Sequence, residues 1–117
     1  MTNPLNPVEL ESELHKTVNS ISASIPKVSE QYDRFKTAEL EFKLAYAMAF
    51  REAEGSIEDR KQQAVFDTQM EAERLKDAEV LYKRVSDYQR AYRDKLSALQ
   101  SVSKSVVAAY NTAGAHG

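Results

Sequence analysis

The chain has 117 residues, 42% hydrophobic and 29% charged, with three Gly, three Pro and no Cys. That suits one folding unit and excludes disulfides, thiolate metal sites and thiol nucleophiles. Sixteen basic against eighteen acidic residues leave a formal net charge of -2, so no global field draws the protein onto nucleic acid or an anionic membrane.

The start, Met1 to Pro7, lacks the basic and apolar blocks of a signal peptide, and no apolar run approaches the ~20 residues of a membrane span. The expected location is the cytosol, with no membrane contact. Residues 1–6 read as an N-terminal arm. The first helix is expected at Asn6-Pro7, where an Asn side chain caps free amides and Pro at the first helical position loses no hydrogen bond. Leu10, Leu14, Val18, Ile21 and Ile25 then recur at three- and four-residue intervals along one face. Pro26 removes a backbone bond and crowds the preceding turn, which predicts a kink or a break there.

Val28, Tyr32, Phe35, Phe42, Ala45, Tyr46, Ala49 and Phe50 carry the helical spacing on to Glu54. Gly55 ends it, and Ser56 with Glu58 and Asp59 starts another helix, a Ser cap followed by acidic residues in the first turn. From there no Gly or Pro occurs until Gly114. Ile57, Val65, Met70, Leu75, Ala78, Tyr82, Val85, Tyr88, Tyr92, Leu96, Leu99, Val106 and Tyr110 keep a helical stripe, roughly 80 Å long if unbroken. Residues 111–117 read as a flexible tail.

The expected fold is therefore all-α. A single helical-hairpin domain over residues 7–110 turns at Gly55, its two arms paired as a coiled coil with facing residue numbers summing to about 112. That register sets Leu10 near Val102, Pro26 near Ser86 and Phe42 near Met70. A three-helix bundle with the later helix broken is the alternative. A two-helix pair buries one stripe per helix and leaves Leu40, Leu44, Phe66 and Leu81 poorly covered, so the chain is expected to dimerise into a helical bundle.

Catalytic chemistry fails on inventory. His15 and His116 lack companions at metal-ligand spacing, no Gly-rich phosphate loop occurs, and Ser is abundant without a His and carboxylate to activate it. Neither an enzyme nor a cofactor is expected. Two surfaces remain. Lys83–Lys104 carries six basic and two acidic residues. Within it, Lys83, Arg90, Arg93 and Lys104 share a stripe that could track a phosphate backbone, although an ordinary solvated face is the favoured reading. The aromatic and Leu positions Tyr82, Tyr88, Tyr92, Leu96, Leu99 and Tyr110 suit a core or a protein interface rather than base stacking.

Two segments, AELEFKLAYAMAFREAEGSIEDRK (38–61) and RDKLSALQSVSKSV (93–106), resemble small all-helical orphan proteins of tailed bacteriophages, especially those of actinobacteria. In these a charged helix ends at a Gly, and the second helix closes with a Leu-x-x-Leu-Gln-Ser pattern, matched here by Leu96, Leu99, Gln100 and Ser101. The resemblance implies a phage-encoded protein in a setting near replication and recombination functions, while the inventory above makes it non-catalytic and its composition cytosolic. Its expected role is to self-associate and bind a phage or host protein, as an accessory of phage DNA replication or recombination. A small inhibitor occluding a host enzyme or defence complex is the alternative, and weak single-stranded nucleic-acid binding is a third reading.

Overall fold

The computed structural model describes residues 6–116, with side chains to Gly114, and contains only helices among them: α1 (Pro7–Glu52), α2 (Ile57–Asp67) and α3 (Gln69–His116). α1 begins where the sequence predicts. The Glu9 amide donates to Asn6 Oδ1 at 2.8 Å, the Asn6 amide donates back to Glu9 Oε2 at 3.4 Å, and the Leu10 amide closes on the Asn6 carbonyl. That reciprocal arrangement satisfies amides which the helix itself leaves free. α1 then runs through Pro26 without interruption, so no break occurs there.

Between α1 and α2, Gly55 has φ +108, a conformation that a side chain disfavours. Two devices hold this segment. Arg60 donates from Nε to the Phe50 carbonyl at 3.1 Å with its guanidinium 4.3 Å from the Phe50 ring, and so closes the end of α1. Ser56 and Asp59 form a capping box at the start of α2.

The helical stretch from Ile57 onward, whose continuity the spacing leaves open, is interrupted at Thr68, which separates α2 from α3. The Thr68 hydroxyl donates to the Ala64 carbonyl at 2.7 Å, the same carbonyl that its own amide reaches at 3.1 Å. A Thr hydroxyl bonded to the carbonyl four residues back competes with the helix's own bonds, although Thr17 makes the same bond inside the unbroken α1. At the far end α3 continues through Thr112 and Gly114 to His116, past the expected limit at Tyr110 and into the segment read as a tail. Thr112 Oγ1 donating to the Ala108 carbonyl is one of the bonds in these last turns. Gly117 and the arm residues Met1–Leu5 lie outside the described residues.

The chain divides into two compact units, Pro26–Ser86 and Met1–Ile25 with Asp87–Gly117. In Pro26–Ser86 the covered residues of α1 include Val28, Gln31, Phe35, Ala38, Phe42, Ala45 and Ala49, at alternating three- and four-residue steps, with Glu39, Tyr46 and Phe50 half-buried beside them. Opposite them Ala64, Thr68, Glu71, Leu75, Ala78, Tyr82 and Val85 keep the same alternation. Such a seven-residue recurrence keeps one narrow stripe of each helix facing its neighbour. The Tyr82 ring stacks on Phe35 at 5.8 Å and leans on Tyr32 at 5.2 Å, while Arg60 reaches Phe50. Met70, expected opposite Phe42, is 64% exposed and points away, and Thr68 and Glu71 take the covered positions.

In the other unit Leu10, Leu14, Thr17, Ile21 and Ser24 of α1 and Gln89, Leu96, Leu99 and Ser103 of α3 are among the covered residues. Gln89 donates to Ser24 Oγ at 3.0 Å, and Lys95 pairs with Glu13 at 3.4 Å.

The stripe is unusually polar. Thr17 and Thr68 are buried and stay satisfied by donating to the carbonyl four residues earlier. Gln31 Oε1, Glu71 Oε2 and Ser86 Oγ are buried without a partner among the described residues, and an orphaned acceptor costs about 1–3 kcal/mol. Gln31→Leu is accordingly expected to stabilise the fold by about 1 kcal/mol, read as a higher urea midpoint. An unchanged or lower midpoint would show that the amide satisfies itself in solution.

Candidate interaction surface

Among the described residues no group of His, Cys, Asp or Glu is placed to hold a metal. His15 is exposed, with Nε2 3.6 Å from Glu11 Oε1 one turn away. What the helices do present to solvent is apolar. In Pro26–Ser86, Leu40, Leu44 and Met48 stand on α1, Val65 and Phe66 on α2, and Met70 on α3, each more than half exposed.

Their placement follows from the spacing. Thr37, Leu40, Leu44 and Ala47 form a second three-and-four series on α1, offset from the covered series through Ala38, Phe42 and Ala45. One helix cannot turn both stripes toward a single neighbour. Val65 and Phe66 line a shallow groove along α2 with Glu58, Gln62 and Gln69. In the other unit Val8, Ile25, Tyr88, Val107 and Tyr110 are among the largely exposed apolar side chains of α1 and α3. Fully burying a large apolar side chain contributes about 1.5–3 kcal/mol, which these half-exposed ones forgo within their own units.

The six interface candidates separate. Tyr82 is half-buried against Tyr32 and Phe35, which makes it a packing residue of its unit. Leu96 and Leu99 lie in the covered stripe. Tyr88 and Tyr110 are 62% and 61% exposed, and Tyr92 stands at the edge of the stripe. The spacing grouped Tyr88 with the stripe, but it sits three residues past Val85, on the flank.

The basic candidates separate as well. Lys83 pairs with Glu79 at 3.0 Å and Arg90 with Asp87 at 3.7 Å, each within its own helix, while Arg93 and Lys104 are simply exposed. Lys83 belongs to Pro26–Ser86 and the other three to the second unit. Partial neutralisation lowers the number of phosphates such a row could displace counterions from.

Sequence reasoning found Leu40, Leu44 and Phe66 but missed Met48, Val65 and Met70. The available signal was the offset of the second series on α1, which a single stripe drawn per helix does not reveal. Comparison of the chain with known protein families, characterised proteins and solved structures finds no match.

Proposed function

We propose that this is a non-catalytic helical protein that folds as a long antiparallel hairpin turning at Gly55, pairs its arms as a coiled coil, self-associates and acts by binding another macromolecule. The hairpin reading draws on the contacts Phe50 with Arg60, Tyr32 with Tyr82, and Ser24 with Gln89, and on the seven-residue recurrence of covered positions. The binding reading is carried by one observation, the row of exposed apolar side chains standing outside the stripe that the helices cover for each other. The setting in phage DNA replication or recombination rests on the resemblance of residues 38–61 and 93–106 alone.

The test is capture from lysates of phage-infected cells by the tagged chain, beside a variant carrying Tyr88→Ala and Tyr110→Ala. The expected result is retention of phage replication or recombination proteins by the parent and their loss from the variant. Retention of a host enzyme instead would move the reading to an inhibitor, and identical captures by both forms would remove Tyr88 and Tyr110 from the interface. Single-strand binding is checked separately. Affinity for an oligonucleotide that falls steeply with salt, and drops when Arg90 and Arg93 become Ala, would reinstate it.

A further inference from the structure

Within Pro26–Ser86 the covered stripe has two flanks, and one of them carries a pattern of charge. On α1, Arg34 and Glu41 stand three residues after the covered Gln31 and Ala38, while Glu30 and Leu44 stand one residue before the covered Gln31 and Ala45. On α3 the same offsets hold Arg74, three after Glu71, and Met70, Asp77 and Arg84, one before Glu71, Ala78 and Val85. At 3.6 residues per turn both offsets fall on the same side of a helix. Between antiparallel neighbours these sides coincide. The ion pair of Glu13 with Lys95, each three residues past its own stripe position, is this meeting observed directly in the other unit.

The contact of Tyr32 with Tyr82 sets the heights. Counting away equally from it puts Glu30 level with Arg84, Leu44 level with Met70, and Glu41 within a residue of Arg74. The α1 edge therefore reads negative, positive, negative through Glu30, Arg34 and Glu41. The α3 edge reads positive, negative, positive through Arg84, Asp77 and Arg74, with Asp77 three residues from the level of Arg34. All six charged side chains are exposed. Glu30 and Arg34 pair with each other at 2.8 Å, and Glu41, Arg74, Asp77 and Arg84 form no ion pair among the described residues.

We propose that this flank is the docking surface for a second copy of the chain, turned by half a turn about an axis parallel to the helices. That rotation lays the α1 edge of each copy over the α3 edge of the other at unchanged height. Glu30 then meets Arg84, Glu41 meets Arg74, Arg34 lies beside Asp77, and Leu44 covers Met70, every contact occurring twice by symmetry. An end-over-end arrangement about the same centre instead sets Glu30 against Glu41 and brings Arg34 near its own copy, like charge against like. Charge order thus selects both the occupant and its direction. A foreign amphipathic helix would need only the apolar residues. The inference rests on the self-association put forward above and specifies its surface.

The experiment is sedimentation equilibrium of the full chain over a range of concentrations, for the parent, Glu41→Arg, Arg74→Glu, and an equimolar mixture of the two variants. The parent is expected to dimerise. Each variant alone places two like pairs in the interface and should weaken the dimer about tenfold or more, with its helical circular dichroism unchanged because both positions are exposed. The mixture should recover the dimer, since one copy's new Arg meets the other's new Glu and the remaining pair is native. An ion pair within one chain could not be repaired by mixing.

A parent that stays monomeric overturns both this surface and the self-association. A parent dimer with undisturbed variants, or a mixture that fails to recover it, overturns this surface alone. Should either variant lose helicity, Glu30→Arg and Arg84→Glu make the same comparison one pair further along.

Discussion

Tyr82→Ala is expected to cost about 2–4 kcal/mol, the range for truncating a packed aromatic. The ring touches Phe35 and Tyr32 at once and is the largest side chain of the α3 stripe within Pro26–Ser86. Removing it leaves both α1 rings without their partner. It also strips the apolar side of the contact over which Lys36 holds its ammonium, 5.7 Å from Tyr32 and 5.4 Å from Phe35. Urea unfolding followed by circular dichroism measures the loss. Tyr88→Ala, six residues on and 62% exposed, is the comparison and should stay within about 0.5 kcal/mol. Equal costs at the two positions would contradict the assignment of Tyr82 to the packing and Tyr88 to the surface.

Gly55→Ala is expected to destabilise by about 1–3 kcal/mol, the range for a side chain forced into a sparsely populated backbone region. Two effects combine. The backbone stands at φ +108, and a Cβ would come within 3.1 Å of Asp59 Oδ2 and 3.2 Å of Asp59 Cβ. Asp59 Oδ2 accepts from the Ser56 amide, so displacing it also weakens the cap of α2. Gly114→Ala meets no atom within 4 Å in a helical segment and should be neutral or stabilising by up to about 1 kcal/mol. Thermal unfolding of the two variants side by side distinguishes a conformational requirement from a general effect of replacing Gly.

Taken together, the exposed rows and the charge order describe a protein whose own helices cover only part of what their sequence could bury. A pair of helices in contact hides one stripe on each. Large apolar residues outside it, such as Leu44 and Met70, then stay exposed, and the dimer proposed above would cover them.

The sequence by itself determined the local features. Asn6 caps α1 because its side chain can accept from the Glu9 amide, Ser56 and Asp59 start α2 for the same reason, and Gly55 stands where the backbone needs φ above zero. These are interactions within a few residues, which local chemistry dictates whatever the rest of the chain does. The tertiary structure alone decided which stripe is covered. Around residues 37–51, α1 holds two apolar series at helical spacing, and only the neighbouring helix chooses the one through Ala38, Phe42 and Ala45 over the one through Leu40 and Leu44.

The same holds for Met70, which the spacing assigned to the inside. Small and polar residues, Ala64, Thr68 and Glu71, take the covered positions there. Large Phe66 and Met70 are left outside. Hydrophobicity ranks residues by what they would gain from burial, but shape and reach across the helix pair decide which of them can have it.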